Sequence, residues 1–460
     1  MPKLAVLNVV GLTPHLLSLA PFLSKWAAGK QVASVVPVLP AVTCSVQSTY
    51  LTGVMPSVHG IVGNGWYFRD EGEIKFWRQS NRLVQAEKIW EDLRRDDPAF
   101  TCASMFWWYN MNSTVDYAVT PRPMYPADGR KIPDVYTRPA DLRGELQERL
   151  GRFPLFEFWG PNTTIRSSEW IARASLHVDA HYDPALTLIY LPHLDYPLQK
   201  VGPHGPGIAA EVRAVDAICE ELITYFEGRA AEVIVLSEYG VTSVRRSISL
   251  NRRLRQEGFL EVREELGGEL LDAGASRAFA VADHQVAHVY VDDPGAVDDV
   301  RALIQDVEGV DTVLAGRRRT FNGLNHDRAG DLVAVAEPDA WFTYYYWLDD
   351  DRAPDFARTV DIHRKPGYDP AELFLDPGLK SARLRAALRL VQKKLGFRYL
   401  MDVIPIDPSL VGGSHGRLPG DAQEGPLLIT GRSDLASTRM HATGVRNVIA
   451  SHLRPKQPDD

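Results

Sequence analysis

The chain has 460 residues, of which 45% are hydrophobic and 24% are charged, a composition that excludes a disordered chain. One simple core rarely grows this large, so we expect a large domain with a smaller one. The formal net charge of −8 argues against a nucleic-acid-binding surface. Three widely spaced cysteines predict no disulfide framework, and the apolar run at the N-terminus is too short for a signal peptide or a membrane span. We therefore expect a cytoplasmic protein with no nucleic-acid or membrane partner.

The predicted secondary structure alternates short apolar strands with helices. Apolar runs predict strands near residues 4–10, 32–38, 185–191 and 232–237, and residues 209–229 have helical periodicity. Strands that are apolar at every position are typical of sheets covered by helices on both faces. The expected fold class is therefore α/β, with a parallel or mixed central sheet.

A hydroxyl stands at the start of the helix predicted after the second of these strands. Free backbone N–H groups and the helix dipole attract anions at the first turn of a helix, and Thr43 is placed there. Two interpretations remain open. Thr43 either faces a phosphoryl oxygen or only caps its helix, as a threonine at this point commonly does.

Residues 275–340 contain a separate group of predicted strands and one predicted helix. Apolar runs predict strands at 279–282, 288–291 and 330–336, and an acidic helix is predicted at 297–307. Together with residues 309–314 they form a β-β-α-β-like unit closed by another strand.

The loop from Asp361 to Asp369 places an imidazole beside two cations. His363, Arg364 and Lys365 lie in a segment with no periodicity. Because such a group suits an anionic ligand, we predict that His363 and Arg364 bind substrate. A solvated surface loop is the alternative interpretation.

The segment from Pro40 to Asn64 carries a longer pattern. It contains Pro-Ala-Val-Thr43 and, beginning at Thr52, Thr-Gly-Val-Met-Pro-Ser-Val-His-Gly-Ile-Val-Gly-Asn. This segment resembles the nucleophile region of the nucleotide pyrophosphatase/phosphodiesterase branch of the alkaline phosphatase superfamily. The resemblance implies that the Thr43 hydroxyl attacks phosphorus. We also expect Asn64 to border the pocket and contact substrate.

The resemblance also implies how the fold is divided. It predicts an alkaline phosphatase-like central sheet sandwiched by helices, with an inserted α+β cap like that of phosphonoacetate hydrolase. We assign the cap to residues 271–339 and the core to residues 1–270 and 340–460. The cap should lie over the carboxyl ends of the core strands, where α/β sheets bind their ligands.

The family holds two zinc ions, and this sequence keeps only part of the ligand set. Asp195 and His415 match the family's residue types, and Glu238 replaces an aspartate with a side chain one methylene longer. Three other ligand positions have lost the family residue: Val10, Gln199 and Tyr239. We expect Asp195, Glu238 and His415 to converge on Thr43 as metal ligands.

Two functions follow from this altered ligand set. The first, which we favour, is a metal-dependent hydrolase of phosphodiester, pyrophosphate or phosphonate-type substrates, with Thr43 as the nucleophile and a depleted metal site. It would hold at most one divalent ion (Zn²⁺, Mn²⁺ or Mg²⁺) at Asp195 and His415, with His363 or His193 as a further donor. The second is a non-catalytic or redirected family member that binds an anionic ligand or a partner protein. A small anionic substrate is expected, and the oligomeric state is left open.

Overall fold

A nine-stranded mixed sheet forms the centre of the molecule. The computed structural model describes residues 2–127, 130–395, 397 and 400–454. Across the sheet the strands follow the order Arg439–His441, Gln31–Val36, Leu427–Thr430, Glu232–Leu236, Leu4–Val9, Leu186–Leu191, Cys102–Met105, Tyr117–Pro121 and Val135–Arg138. The five strands from Glu232–Leu236 to Tyr117–Pro121 run parallel, and Leu427–Thr430 is antiparallel to both its neighbours.

The central strands are buried along their whole length. Every residue of Leu4–Val9 and Leu186–Leu191 is buried, because helices cover the sheet. These two strands, with Gln31–Val36 and Glu232–Leu236, occupy the four ranges that the apolar runs predict. The expected α/β fold class is therefore confirmed.

The helices that cover the sheet form two packed groups. In one, Pro21–Ala27 and Arg166–Tyr182 both contact Ile208–Gly228, and in the other Thr43–Thr52 contacts Val445–Leu453. The α-helices of the described residues are Pro14–Leu17, Pro21–Ala27, Thr43–Thr52, Pro56–His59, Ile89–Asp96, Leu142–Leu150, Arg166–Tyr182, Asp195–Val201, Ile208–Gly228, Leu250–Gln256, Val297–Gln305, Arg317–Phe321, Ala382–Lys394 and Val445–Leu453. Within the described part of the chain, no helix has the length and apolar character needed to cross a membrane.

A second, smaller sheet lies in the region predicted as the cap. Its four antiparallel strands follow the order Ala278–Asp283, Val286–Val291, Leu332–Ala336 and Val310–Leu314. Helix Val297–Gln305 contacts two of them. The hydrophobic cluster of this sheet also takes in residues outside 271–339, among them Phe76 and Trp347. The division at residues 271 and 339 therefore stays a prediction.

Four two-stranded pairs complete the β structure of the described residues. They are Gly65–Phe68 with Glu73–Phe76, Thr242–Ser243 with Gly413–Ser414, Arg246–Ile248 with Ala340–Phe342, and Glu261–Glu265 with Gly268–Asp272. The pair formed by Thr242–Ser243 and Gly413–Ser414 brings the C-terminal part of the chain beside the loop that follows Glu232–Leu236.

The parallel strands place the predicted site residues at one edge of the sheet. Asp195 follows Leu186–Leu191, and Glu238 follows Glu232–Leu236, so both lie beyond the carboxyl ends of strands that flank Leu4–Val9. The Ala41 amide donates to the Gly416 carbonyl at 2.7 Å, which holds the turn carrying His415 against the entry to the Thr43 helix. Residues from four distant parts of the chain thus meet at this edge.

Candidate active site

Thr43 is the first residue of its helix but does not cap it. The capping position is Val42, and the Cys44 amide is bound instead by the Asn64 side-chain oxygen at 3.1 Å. The Thr43 side chain is buried, and its hydroxyl lies 3.1 Å from the Tyr239 hydroxyl. The interpretation of Thr43 as a simple helix cap is therefore wrong.

Tyr239 connects Thr43 to Asp195. Its hydroxyl donates to Asp195 Oδ1 at 3.3 Å, a long hydrogen bond. A phenol has one proton to donate, so the hydrogen bond with Thr43 must have the threonine as donor. The three side chains form one directed path, in which Thr43 donates to Tyr239 and Tyr239 donates to Asp195. Burial holds the pKa of Tyr239 well above its ordinary value, so the phenol stays protonated.

Asp195 is a buried carboxyl group with partners on both oxygens. Gln199 Nε2 donates to Asp195 Oδ2 at 2.7 Å, and the Tyr368 hydroxyl donates to Gln199 Oε1 at 2.8 Å. Burial raises the pKa of Asp195 to about 7, against the opposing effect of the hydrogen bonds from Gln199 and Tyr239. Asp195 can therefore take up and release a proton near neutral pH.

Glu238 lies beside this path, and two amides bind it. Asn8 Nδ2 and Gln47 Nε2 donate to Glu238 Oε1 at 2.5 and 2.6 Å, while Oε2 has no hydrogen-bond partner. Burial, with a contribution from the charge of Asp195, raises the pKa of Glu238 to about 8. The hydrogen bonds from Gln47 and Asn8 act in the opposite direction on the same pKa. At neutral pH the neutral carboxylic acid is the main form.

His415 forms part of a column of four aromatic rings. The Tyr239 and His415 rings stack with centroids 3.6 Å apart and planes 6° apart. The ring of His284 lies 3.7 Å beyond that of His415, and the ring of Tyr368 lies 3.7 Å beyond that of His284. Tyr368 also binds Gln199, and Gln199 and Tyr239 both bind Asp195. The stacked rings and these hydrogen bonds therefore form one closed circuit of contacts.

Both histidines of the column are neutral. His415 Nδ1 lies 2.9 Å from the Ala41 carbonyl, to which it donates, so Nε2 carries the lone pair. Nε2 is buried without a hydrogen-bond partner, 3.7 Å from Asp195 Oδ1. Burial lowers the pKa of His415 to about 3 and that of His284 well below its ordinary value. The column is therefore uncharged over the physiological pH range.

The donor set does not fit the metal ions that the resemblance implies. Among the residues that the structure describes, no three His, Cys, Asp or Glu side chains form a group that could hold a metal ion. Asp195 and His415 supply two donors, whereas zinc takes three or four protein ligands. His193, predicted as an extra donor, is engaged by Glu211 at 2.6 Å. Glu238 Oε1 is used by two amides, which leaves only Oε2 without a hydrogen-bond partner.

A cavity of about 590 Å³ opens above this arrangement. Thr43, Asp195, Tyr239 and His415 all line it, so the structure brings three predicted site residues, Thr43, Asp195 and His415, to one cavity. Glu238 is not among the lining residues. Its walls are largely aromatic, with contributions from Trp77, Trp108, Phe158, Trp159, Tyr196 and Tyr368.

Two of the three predicted substrate-binding residues line the cavity. His363 and Arg364 are both on its wall, together with Lys131. Arg364 is half-exposed and pairs with Asp355 at 3.1 Å. Burial, with a further contribution from the charge of Lys131, lowers the pKa of His363. The predicted loop thus brings one cation and one neutral imidazole to the cavity.

Asn64 lies behind Thr43, away from the cavity wall. Besides binding the Cys44 amide, its side chain donates to Asp283 Oδ1 at 3.0 Å, and its backbone amide donates to Asp283 Oδ2 at 2.7 Å. Both side-chain atoms are therefore used within the protein. In this structure Asn64 holds the first turn of the Thr43 helix, and its contact with substrate stays a prediction.

Sequence reasoning missed His284. This residue sits at the tip of the hairpin between Ala278–Asp283 and Val286–Val291, with a left-handed backbone φ of 61°. The available signal was the polar triplet Asp283-His284-Gln285 between two apolar strands, but such residues are ordinary in a hairpin turn.

Comparison with known proteins places these observations in a family. The model of the family described as type I phosphodiesterase/nucleotide pyrophosphatase matches residues 4–369. An uncharacterized pyrophosphatase/phosphodiesterase of Schizosaccharomyces pombe is 28% identical over 235 residues, which are 50% of this chain and 41% of that protein. The match therefore spans less than half the length of that relative.

Solved structures share the fold over the whole chain. Murine ectonucleotide pyrophosphatase/phosphodiesterase 5 superposes with a TM-score of 0.59 at 15% identity, covering 100% of this chain and 97% of that one. Phosphonoacetate hydrolase from Sinorhizobium meliloti superposes with a TM-score of 0.61 at 15% identity, covering 99% and 96%. At these identities the likeness concerns the fold alone.

Proposed function

The chain belongs to the type I phosphodiesterase/nucleotide pyrophosphatase family, and on that premise we propose that it hydrolyses a phosphorus ester with Thr43 as the nucleophile. The observation that carries this proposal is the hydrogen-bonded path from Thr43 through the Tyr239 hydroxyl to Asp195. A nucleophile within reach of a proton acceptor, with a third group holding that acceptor in place, is the usual arrangement for an activated hydroxyl.

Asp195 is the base of the proposed reaction. As the Thr43 oxygen forms its bond to phosphorus, its proton passes to Tyr239, whose own proton passes to Asp195. The bond from phosphorus to the leaving oxygen breaks, that oxygen takes up a proton from solvent, and Asp195 releases its proton to solvent. Water then attacks phosphorus and gives a proton to Asp195, the bond from phosphorus to the Thr43 oxygen breaks, and that oxygen regains its proton through Tyr239. The pKa of Asp195, about 7, is suited to a base that works near neutral pH.

The cavity supports a small anionic substrate. Lys131 and Arg364 line its wall and supply positive charge, and the neutral His363 can donate a hydrogen bond. The aromatic walls suit a planar or apolar leaving group. A murine relative has been solved with AMP, and the bacterial phosphonoacetate hydrolase with phosphonoformate, both of them small anions.

No step of the proposed reaction uses a metal ion. The single ion expected at Asp195 and His415 would have two protein donors, and Tyr239 already binds the carboxylate oxygen nearest to His415. The Tyr239 relay takes over the task of removing the Thr43 proton, which a bound ion would otherwise perform by lowering the pKa of the hydroxyl.

A ligand-binding function without turnover is the second candidate. It is favoured by the donor set, because Asp195 and His415 are too few ligands for the ions that would stabilise the charge of phosphoryl transfer. In this case the same cavity would hold a small anion, and the family's chemistry would have been lost.

The experiment compares hydrolysis of nitrophenyl phosphodiesters by the purified chain with and without a chelator. We expect slow turnover that the chelator does not change. Thr43→Val should abolish it, whereas Thr52→Val should not. Thr52 ends the same helix, is equally buried, and its hydroxyl binds only the local backbone, at Ser48 and Val54, so it is a matched control. Binding of AMP without any turnover would favour the second candidate.

A further inference from the structure

The helix Ala382–Lys394 presents an apolar face to solvent. Leu384, Leu388, Val391 and Leu395, spaced four, three and four residues apart, share one face of the helix and its last turn. Their exposed fractions are 60%, 57%, 52% and 67%, values at which a leucine or valine gains little from burial. Phe397 and Leu400 continue the exposed apolar surface beyond the helix.

The other side of the helix is attached to the protein. Ala382 is buried, and Arg385 and Arg389 both bind the carboxylate of Asp402, Arg389 with distances of 3.0 and 3.2 Å. The helix is therefore held with a fixed orientation, and the apolar face points outward because the inner face is already engaged.

The segment that carries this face is strongly basic. Residues 379–400 contain seven Lys and Arg residues and no Asp or Glu: Lys380, Arg383, Arg385, Arg389, Lys393, Lys394 and Arg398. The whole chain has a net charge of −8, so this segment is a basic region in a protein that is acidic overall. A basic helix with an exposed apolar face is typical of proteins that lie on anionic membranes.

We propose that the basic helix Ala382–Lys394 docks on an anionic lipid bilayer surface. The apolar face would enter the boundary between head groups and acyl chains, while the net positive charge of the segment attracts the lipid phosphates. A second copy of the chain fits the charge pattern poorly, because pairing two such faces would bring two sets of cations together. The expectation of no membrane partner was drawn from the N-terminal segment and does not bear on this helix.

The other side of the same helix forms part of the wall of the active-site cavity. Ala386 and Leu390 line that cavity, and each lies two residues, about 200° around the helix, from a residue of the apolar face. Docking would therefore place the bilayer against the outer side of the cavity wall. This inference rests on the surface and not on the proposed hydrolysis, since either candidate function is compatible with it.

The test is sedimentation of the full chain with vesicles. Pure phosphatidylcholine vesicles are compared with vesicles that contain about 30% phosphatidylglycerol. The variant Leu384→Ser with Leu388→Ser removes two apolar side chains of the face. The control Leu266→Ser with Phe321→Ser changes two side chains that are more exposed still. They lie in the turn between Glu261–Glu265 and Gly268–Asp272 and at the end of Arg317–Phe321.

We expect the wild type and the control to bind anionic vesicles, and to lose most of that binding at about 0.5 M salt, where charges are screened. The face variant should partition about tenfold more weakly, because it buries less apolar surface. Failure to bind anionic vesicles at low salt, or equal binding by the face variant, would overturn the proposal. So would a dimer of the wild type in sedimentation velocity that the face variant converts to monomer.

Discussion

The ring of Tyr239 lies flat on the ring of His415, with centroids 3.6 Å apart and planes 6° apart. This stacking fixes the direction of the phenol and sets its hydroxyl between Thr43 and Asp195. In the family pattern the position of Tyr239 carries a metal-binding histidine. The substitution therefore does more than remove a ligand, because the longer side chain joins Thr43 to the carboxyl group of Asp195.

Removing only the Tyr239 hydroxyl should break the proton path and leave the fold intact. Tyr239→Phe keeps the stacked ring, so we expect a drop of about 10²-fold or more in turnover of a phosphodiester. The hydrogen bond from Tyr239 lowers the pKa of Asp195, so any residual activity should need a higher pH. The measurement is a pH–rate profile. Tyr196→Phe changes another cavity tyrosine outside the path, and an equal loss there would argue against the relay.

The buried carboxyl groups should make stability depend on pH. Burial raises the pKa of Asp195 and of Asp283 to about 7 and that of Glu238 to about 8, from ordinary values near 4. The folded state then binds these protons more tightly than the unfolded state. Their contribution to stability is therefore complete below about pH 4 and is lost as the pH rises through 7 to 8.

Glu238→Gln tests this contribution, because the amide cannot ionise. Relative to the variant, the wild type should lose free energy of unfolding between about pH 5 and pH 8, by about 1.4 kcal/mol for each unit of pKa difference. Urea unfolding at a series of pH values gives the two curves. The exposed Glu424→Gln serves as the control and should follow the wild type. Parallel curves for wild type and Glu238→Gln would contradict the assigned pKa.

One substitution should create the metal site that this chain does not provide. Gln199 lies one helical turn after Asp195 and already reaches its Oδ2, so Gln199→His adds a third donor beside Asp195 and His415. We expect the wild type to bind less than one zinc ion per chain and the variant to bind one, measured by calorimetry and elemental analysis. Gln199→Asn is the control and should gain no binding. Binding of one zinc ion per chain by the wild type would contradict this prediction.

The buried side chain of Lys365, the residue after Arg364, should be essential for the stability of the fold. Lys365 is 1% exposed and pairs with Asp369 at 2.7 Å and Glu372 at 2.8 Å. Lys365→Met would leave two buried carboxylates without their cation, so we expect the free energy of unfolding to fall by about 3–5 kcal/mol. Arg364→Met, which removes a half-exposed ion pair, should cost about 1 kcal/mol or less. Urea unfolding distinguishes them, and similar losses would show that Lys365 is not buried as described.

The sequence alone determined the fold class and the strands at its centre. Leu4–Val9 and Leu186–Leu191 are apolar at nearly every position, because a strand covered on both faces must bury every side chain. Local residue type is enough to predict such elements. The pattern from Pro40 to Asn64 likewise pointed to Thr43, and matching of single positions pointed to Asp195 and His415, all three of which line one cavity.

Only the tertiary structure decided what these residues contact. Periodicity cannot show that Tyr239 bridges Thr43 and Asp195, or that His284 stacks on His415, because these contacts join residues more than 40 positions apart. Nor could periodicity show that Asn64 binds Asp283 through both its backbone and its side-chain N–H groups. Hydrogen-bond partners and pKa values depend on burial and on distances of a few ångströms. Those quantities are set when strands and loops from distant parts of the chain come together at one edge of the sheet.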